Sequence, residues 1–215
     1  MRQQVRTAPA ALPAAVRAPL AMTAALATAV LVALGILHFH DAGLTGIDAA
    51  VLPSIDGVQP PWRYVALVFD FGGEPVGSTI LVALIAVVCF LVHRIRAAAL
   101  TVLGVVVTVA VTTVLKPLVG RTIHGEFLSY PSGHTAMATA LALVIGLVLA
   151  DRLAFDRAAA VVLVLGLALV AAVAMGWAEV ALGAHYPTDA AGGFCAALAA
   201  VPATGWLVDR VAERL

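Results

Sequence analysis

Charge is scarce in this chain. Of its 215 residues, 11% are Asp, Glu, Lys or Arg, against about 25% in a typical soluble domain. Lysine occurs once, as Lys116. With 63% hydrophobic residues and a mean hydropathy of +1.07, the chain has too few polar groups to cover a water-exposed surface. Lipid must solvate most of it. No basic stripe is present, which excludes nucleic acid as a partner. Cysteine is limited to Cys89 and Cys195, both inside apolar runs and without metal-ligand spacing. They read as packing residues, not as a disulfide or a metal centre, and no cofactor or metal is expected. Internal repeats are lacking, and the only compositional bias is toward alanine.

What is abundant is long apolar runs. Crossing a bilayer takes about 20 mostly apolar residues in a helix. Six stretches meet that length approximately: 19–38, 76–93, 97–115, 133–150, 158–178 and 187–208. Pro117 disfavours helical geometry at Lys116 and predicts the end of the third span there. Pro131 and Pro187 fall at the starts of the fourth and sixth, which suits a first helical turn. Short connections imply antiparallel neighbours. The expected fold is therefore all-α: an integral membrane bundle of six transmembrane helices. Residues 1–18 are expected as a cytoplasmic tail and 19–215 as one membrane domain. The apolar piece Tyr64–Phe69 in the long 39–75 connection is too short to span and is expected to lie in the interface.

The few cations set an orientation. Arg2, Arg6, Arg17, Arg94, Arg96, Arg152, Arg157, Arg210 and Arg214 fall on one side of the six-span arrangement, and Arg63, Lys116 and Arg121 on the other. Nine against three places both termini in the cytoplasm by the positive-inside rule. The apolar run after the arginine-bearing N-terminus lacks a small-residue cleavage site, so an uncleaved first span is expected.

The remaining polar residues gather on the outer side. Ser132 precedes the fourth span in Tyr130-Pro131-Ser132-Gly133-His134-Thr135. A serine cap leaves first-turn N–H groups free to face an anion, and Gly133 lets a ligand approach the backbone. His134, in the same turn, can donate a proton to a bound oxygen. An ordinary helix start with an interfacial histidine is the plainer alternative. His185 and Asp189 stand four apart, on one helix face. The carboxylate can accept from Nδ1 of the imidazole and leave Nε2 as a nucleophile. A helix cap beside an interfacial histidine is again the plainer alternative. Lys116 and Arg121 flank Gly120 as two of the three outer cations. His38 and His40, beside Asp41, read as interfacial residues at a helix end.

Taken together, Lys116-Pro117-Leu118-Val119-Gly120-Arg121, Pro131-Ser132-Gly133-His134 and Leu182-Gly183-Ala184-His185-Tyr186-Pro187-Thr188-Asp189 resemble the three motifs of the type 2 phosphatidic acid phosphatase superfamily. The resemblance covers about residues 60–210. It implies that His185 is the nucleophile forming a phosphohistidine, that Asp189 orients it, and that His134 protonates the leaving oxygen. Lys116, Arg121, Ser132 and Gly133 would hold the phosphoryl group, without a metal.

Two positions depart from the pattern. Ile123, followed by His124, stands where the family has an arginine followed by proline, and Ala178-Glu179 stands where it has Ser-Arg. Pairing of Glu179 with Arg121 or Lys116, or with a headgroup hydroxyl, is the expected accommodation, and His124 is a possible substitute charge. The function implied is a phosphatase of the plasma membrane, acting at the extracytoplasmic face on a lipid phosphate or a prenyl diphosphate of the undecaprenyl type. Alternatives are a phosphotransferase with the same intermediate, or a catalytically weak lipid-phosphate binding or transport protein.

Overall fold

The computed structural model describes residues 9–44 and 46–214; Arg2 and Arg6 lie outside them. Five helices are long and apolar enough to cross a membrane: α1 (Ala14–Leu37), α5 (Ile95–Val119), α6 (Gly133–Arg152), α7 (Arg157–Ala181) and α8 (Pro187–Ala212). A bent pair, α3 (Trp62–Gly73) and α4 (Pro75–Leu91), which meet at 68°, is long and apolar enough only when the two are taken together, and counts as up to a sixth. A short helix, α2 (Gly46–Val51), lies in the connection between α1 and α3. A two-stranded hairpin, β1 (Thr122–Ile123) and β2 (Phe127–Leu128), links α5 to α6.

Burial separates inner from outer helices. In their most apolar windows α6 and α8 are each 61% buried, whereas α1, α5 and α7 are 22–33% buried. The first two form the centre, and the others turn most of their surface toward lipid. The core unites Leu20 and Leu31 of α1, Leu100 of α5, Leu143 and Val144 of α6, Val164 of α7 and Val201 of α8. Small residues permit the close approach that replaces the hydrophobic drive in lipid. At Gly193 of α8 an added Cβ would overlap the Ser132 carbonyl, so glycine there lets the α6 start press onto α8.

One expectation needs correction. The third span does not end at Lys116. Helix α5 runs through Pro117 to Val119 and stops at Gly120, whose left-handed backbone (φ 68°) caps it. Proline removes one internal hydrogen bond, which a helix within a packed bundle tolerates, and the glycine supplies the stop. In its described part, the stretch ahead of residue 19 is anchored to the bundle. Helix α1 begins at Ala14, and the N–H groups of Ala11 and Leu12 donate to Asp209 at 2.7 and 3.0 Å. Arg17 and Arg96 reach the same carboxylate. The Tyr64–Phe69 piece is part of the regular helix α3, turned across the end of the bundle onto α7. Trp62 and Trp177 meet there edge to face, with ring centroids 6.3 Å apart.

Candidate active site

Each candidate residue owes its position to a helix end. Ser132 caps α6: its Oγ accepts from the Thr135 N–H at 3.2 Å and donates to Thr135 Oγ1 at 3.1 Å. Its own N–H donates to the Asp189 carbonyl at 3.0 Å, which ties this cap to the start of α8. The Ser132 hydroxyl is therefore buried and engaged. Gly133 and His134 are partly exposed at the first helical positions, whose N–H groups have no acceptor within their helix. Lys116 is partly buried in the last turn of α5, with Asp189 and Glu179 as its charged neighbours.

Asp189 begins α8 in a capping arrangement with Tyr186. Its Oδ2 accepts from the Tyr186 N–H at 2.9 Å and lies 3.4 Å from Nδ1 of His185. That leaves Nε2 of His185 facing away from Asp189, as the i, i+4 spacing anticipates. Nε2 lies 3.8 Å from Oε2 of Glu179, and the same oxygen lies 3.8 Å from Nδ1 of His134. One imidazole from the first turn of α6 and one from the connection before α8 thus converge on one carboxyl oxygen. The ring of His134 is seated against Gly73, where an added Cβ would overlap the imidazole.

Arg121 does not occupy an open phosphate-binding position. It is fully buried, with Nη1 donating to Asp189 Oδ1 and to Thr188 Oγ1, both at 2.7 Å, and Nη2 donating to Asp48 Oδ2 at 2.6 Å. The guanidinium also lies 4.3 Å above the Tyr186 ring. Asp48, itself fully buried, accepts from the N–H and the hydroxyl of Thr188 at 2.8 and 2.7 Å. His185, Asp189, Arg121 and Asp48 therefore form a chain leading away from the site. Both Nη groups of this arginine are thus engaged within the protein, while its Nε has no hydrogen-bond partner.

The other departures resolve similarly. Ile123 is buried within the first strand of the hairpin. His124 turns outward with a positive φ and places Nε2 2.8 Å from the Gly183 carbonyl, so it does not supply the missing charge. Glu179 is buried and makes no ion pair with Arg121 or Lys116 among the described residues; its neighbours are the two histidines and Asp70. His38 is buried rather than interfacial, with Nδ1 3.2 Å from Asp41. Burial favours the neutral form of Asp41, but its bonds to His38 and the Gly43 N–H, and the charge of Arg121, hold the carboxyl below its usual range. Burial pushes the phenols of Tyr130 and Tyr186 upward. Tyr130 is a neutral donor, bonded to the Leu31 carbonyl at 2.7 Å.

Sequence reasoning did not single out Asp48, Asp70 or Gly73. Nothing distinguishes Asp48 and Asp70 from the other acids of the 39–75 connection until folding brings them to the site. Asp70, His134 and Glu179 offer ligand atoms all within 4.8 Å of one another. A metal-ligand group thus exists in space where the linear spacing showed none.

A sequence model of the PAP2 superfamily matches residues 97–212, which contain all seven candidate residues. The chain belongs to the PAP2 superfamily. The fold is also similar to a crystal structure of a transmembrane PAP2-type phosphatidylglycerolphosphate phosphatase from Bacillus subtilis, with a TM-score of 0.68 and 22% identity over 90% of this chain and 97% of that one. A search of curated proteins finds no match. Superfamily and fold together make this a multi-pass membrane protein of the PAP2 type.

Proposed function

We propose that this PAP2 protein is a phosphatase that releases phosphate from a lipid phosphate or prenyl diphosphate through a phosphohistidine on His185. The observation that carries the reading is the convergence of Nε2 of His185 and Nδ1 of His134 on one point, with Asp189 behind the first ring. In the first step Nε2 attacks phosphorus, the P–O bond to the lipid breaks, and His134 gives its proton to the departing oxygen. In the second, His134 takes a proton from water, whose oxygen displaces the P–N bond. Asp189 accepts from Nδ1 throughout and stabilises the charged ring. Lys116 and the free N–H groups of Gly133 and His134 hold the phosphoryl oxygens. Glu179, when protonated, donates to the phosphoryl group; ionised, it repels it.

The lipid preference rests on the surface next to the site. An apolar groove of about 700 Å³ runs between α4 and α5, lined by Val82, Val102, Val106, Val109, Thr113 and Val114, and ends just before Lys116. A tail in that groove puts its headgroup beside the cation. The positive-inside distribution supports an extracytoplasmic site in the plasma membrane. The test is phosphate release by purified protein from phosphatidate, phosphatidylglycerolphosphate and undecaprenyl diphosphate in mixed micelles, with His185→Ala as control. Release that depends on His185, together with acid-labile phosphate trapped on the protein, supports the reading. Release unchanged by His185→Ala, or absent from every substrate, overturns it. Transfer of the phosphoryl group to an added alcohol without free phosphate would instead mark a phosphotransferase.

A further inference from the structure

The carboxyls around the two histidines exceed the cations that face them. Arg121 is already matched by Asp48 and Asp189. Among the described residues, Lys116 is then the cation set against Asp70, Glu74 and Glu179. Glu179 is 1% exposed, and its Oε1 has no hydrogen-bond partner. Nε2 of His134 is likewise without a hydrogen bond, though Asp70 and Glu74 lie 3.8 and 3.9 Å away. Buried carboxylates are paired or coordinate metals, and here the pairing is incomplete.

We propose that Asp70, His134 and Glu179 form a site for one zinc ion. One imidazole nitrogen and two carboxylate oxygens make a three-ligand zinc set with a fourth position left for water. Tetrahedral bonds of about 2.1 Å set ligand atoms about 3.4 Å apart, so the present spacing of up to 4.8 Å must close by about 1.4 Å at most through side-chain rotation. Asp70 comes from α3, His134 from α6 and Glu179 from α7, so the ion would cross-link three helices. Glu74, 54% exposed at the rim, adds negative charge without being needed as a ligand. His185 lies outside the group, held by Asp189.

The site has a functional consequence that rests on the phosphohistidine reading. A metal-bound His134 cannot cycle a proton to the leaving oxygen. Zinc occupancy and turnover therefore exclude each other, and the metal acts as an off-switch placed on the proton donor.

The test is zinc titration of the full-length protein in detergent, by calorimetry and by competition with a chromophoric chelator. Binding of one equivalent, weakened at least tenfold in Asp70→Asn and in Glu179→Gln but retained in His185→Ala, supports the site. X-ray absorption at the zinc edge should show nitrogen and oxygen ligands and no sulfur, which excludes Cys89 and Cys195. Absence of saturable binding, or unchanged affinity in both acid variants with thermal melts like the parent, overturns it. Phosphate release should fall over the same zinc range, and Asp70→Asn should lose that sensitivity. Release that persists while the site fills overturns the antagonism. One-site binding in a protein that never releases phosphate would refute the phosphatase reading and leave the metal site standing.

Discussion

Asp48→Asn removes the far end of the chain that runs from His185 through Asp189 and Arg121. Both Asp48 oxygens are used, receiving the Thr188 N–H, the Thr188 hydroxyl and Nη2 of Arg121, all between 2.6 and 2.8 Å. Asparagine keeps one acceptor oxygen and points an NH₂ group at donors. The loss leaves at least one buried donor unmatched and removes a charge from a fully buried pair. Breaking such a pair by removing one partner costs about 3–5 kcal/mol, so the melting temperature should drop clearly in detergent. The catalytic effect is separable. With Asp48 neutral, Arg121 is balanced by Asp189 alone and draws that carboxylate toward itself. His185 then loses the partner that sets its tautomer. Turnover should fall by about tenfold or more, equivalent to about 1.4 kcal/mol of barrier, with little change in KM, because Asp48 touches no substrate. Melting curves and initial phosphate-release rates on one preparation decide the matter. Unchanged melting and unchanged kcat would refute the claim that Asp48 positions the catalytic pair. A fall in KM-dependent rate alone would instead place Arg121 on the substrate.

Gly73→Ala should displace the His134 ring, because the new methyl overlaps the imidazole; turnover falls at least about tenfold while helix content by circular dichroism is kept. Asp209→Ala strips the acceptors from the Ala11 and Leu12 N–H groups. Each orphaned donor costs about 1–3 kcal/mol, so melting drops, and protease should cut near the N-terminus sooner, while the rate at saturating substrate is kept. Tyr130→Phe removes the phenol's hydrogen bond to the Leu31 carbonyl, which keeps its partner within α1; the loss should cost about 0.5–1.5 kcal/mol in a melt with kcat little changed.

The spans were legible because hydropathy reports directly on helices in lipid, and the ends shifted only where a cap overrode a prior. Pro117 looked like a stop, yet Gly120 with its positive φ is the stop. His185 and Asp189 also meet, but not through helix periodicity: His185 lies ahead of α8, and the Asp189 carboxylate folds back over the helix start to cap the Tyr186 N–H and reach the imidazole. The burial of Arg121 was not legible, for the opposite reason. Its partner Asp48 is 73 residues away in the chain, and no periodicity links them. The same holds for Asp70 and Gly73, which acquire meaning only when α3 folds across α6 and α7.

The two absent arginines now have a physical context. At position 123 the fold buries an isoleucine, so an arginine there would need the hairpin to open toward the site. At position 179 the side chain lies between the two histidines, where an acid supplies none of the fixed positive charge an arginine would. Phosphate can enter only when that acid carries a proton or when positive charge outweighs it. Among the described residues, Lys116 is the cation set against three carboxyls, so a substrate bearing its own cation or several hydroxyl groups gains contacts that a bare phosphate lacks. Competition between headgroups of equal phosphate charge should reveal this: an amine- or polyol-bearing lipid phosphate should outcompete phosphatidate, and Glu179→Arg should reverse the order. Equal discrimination in parent and variant would show that the acid does not read the headgroup.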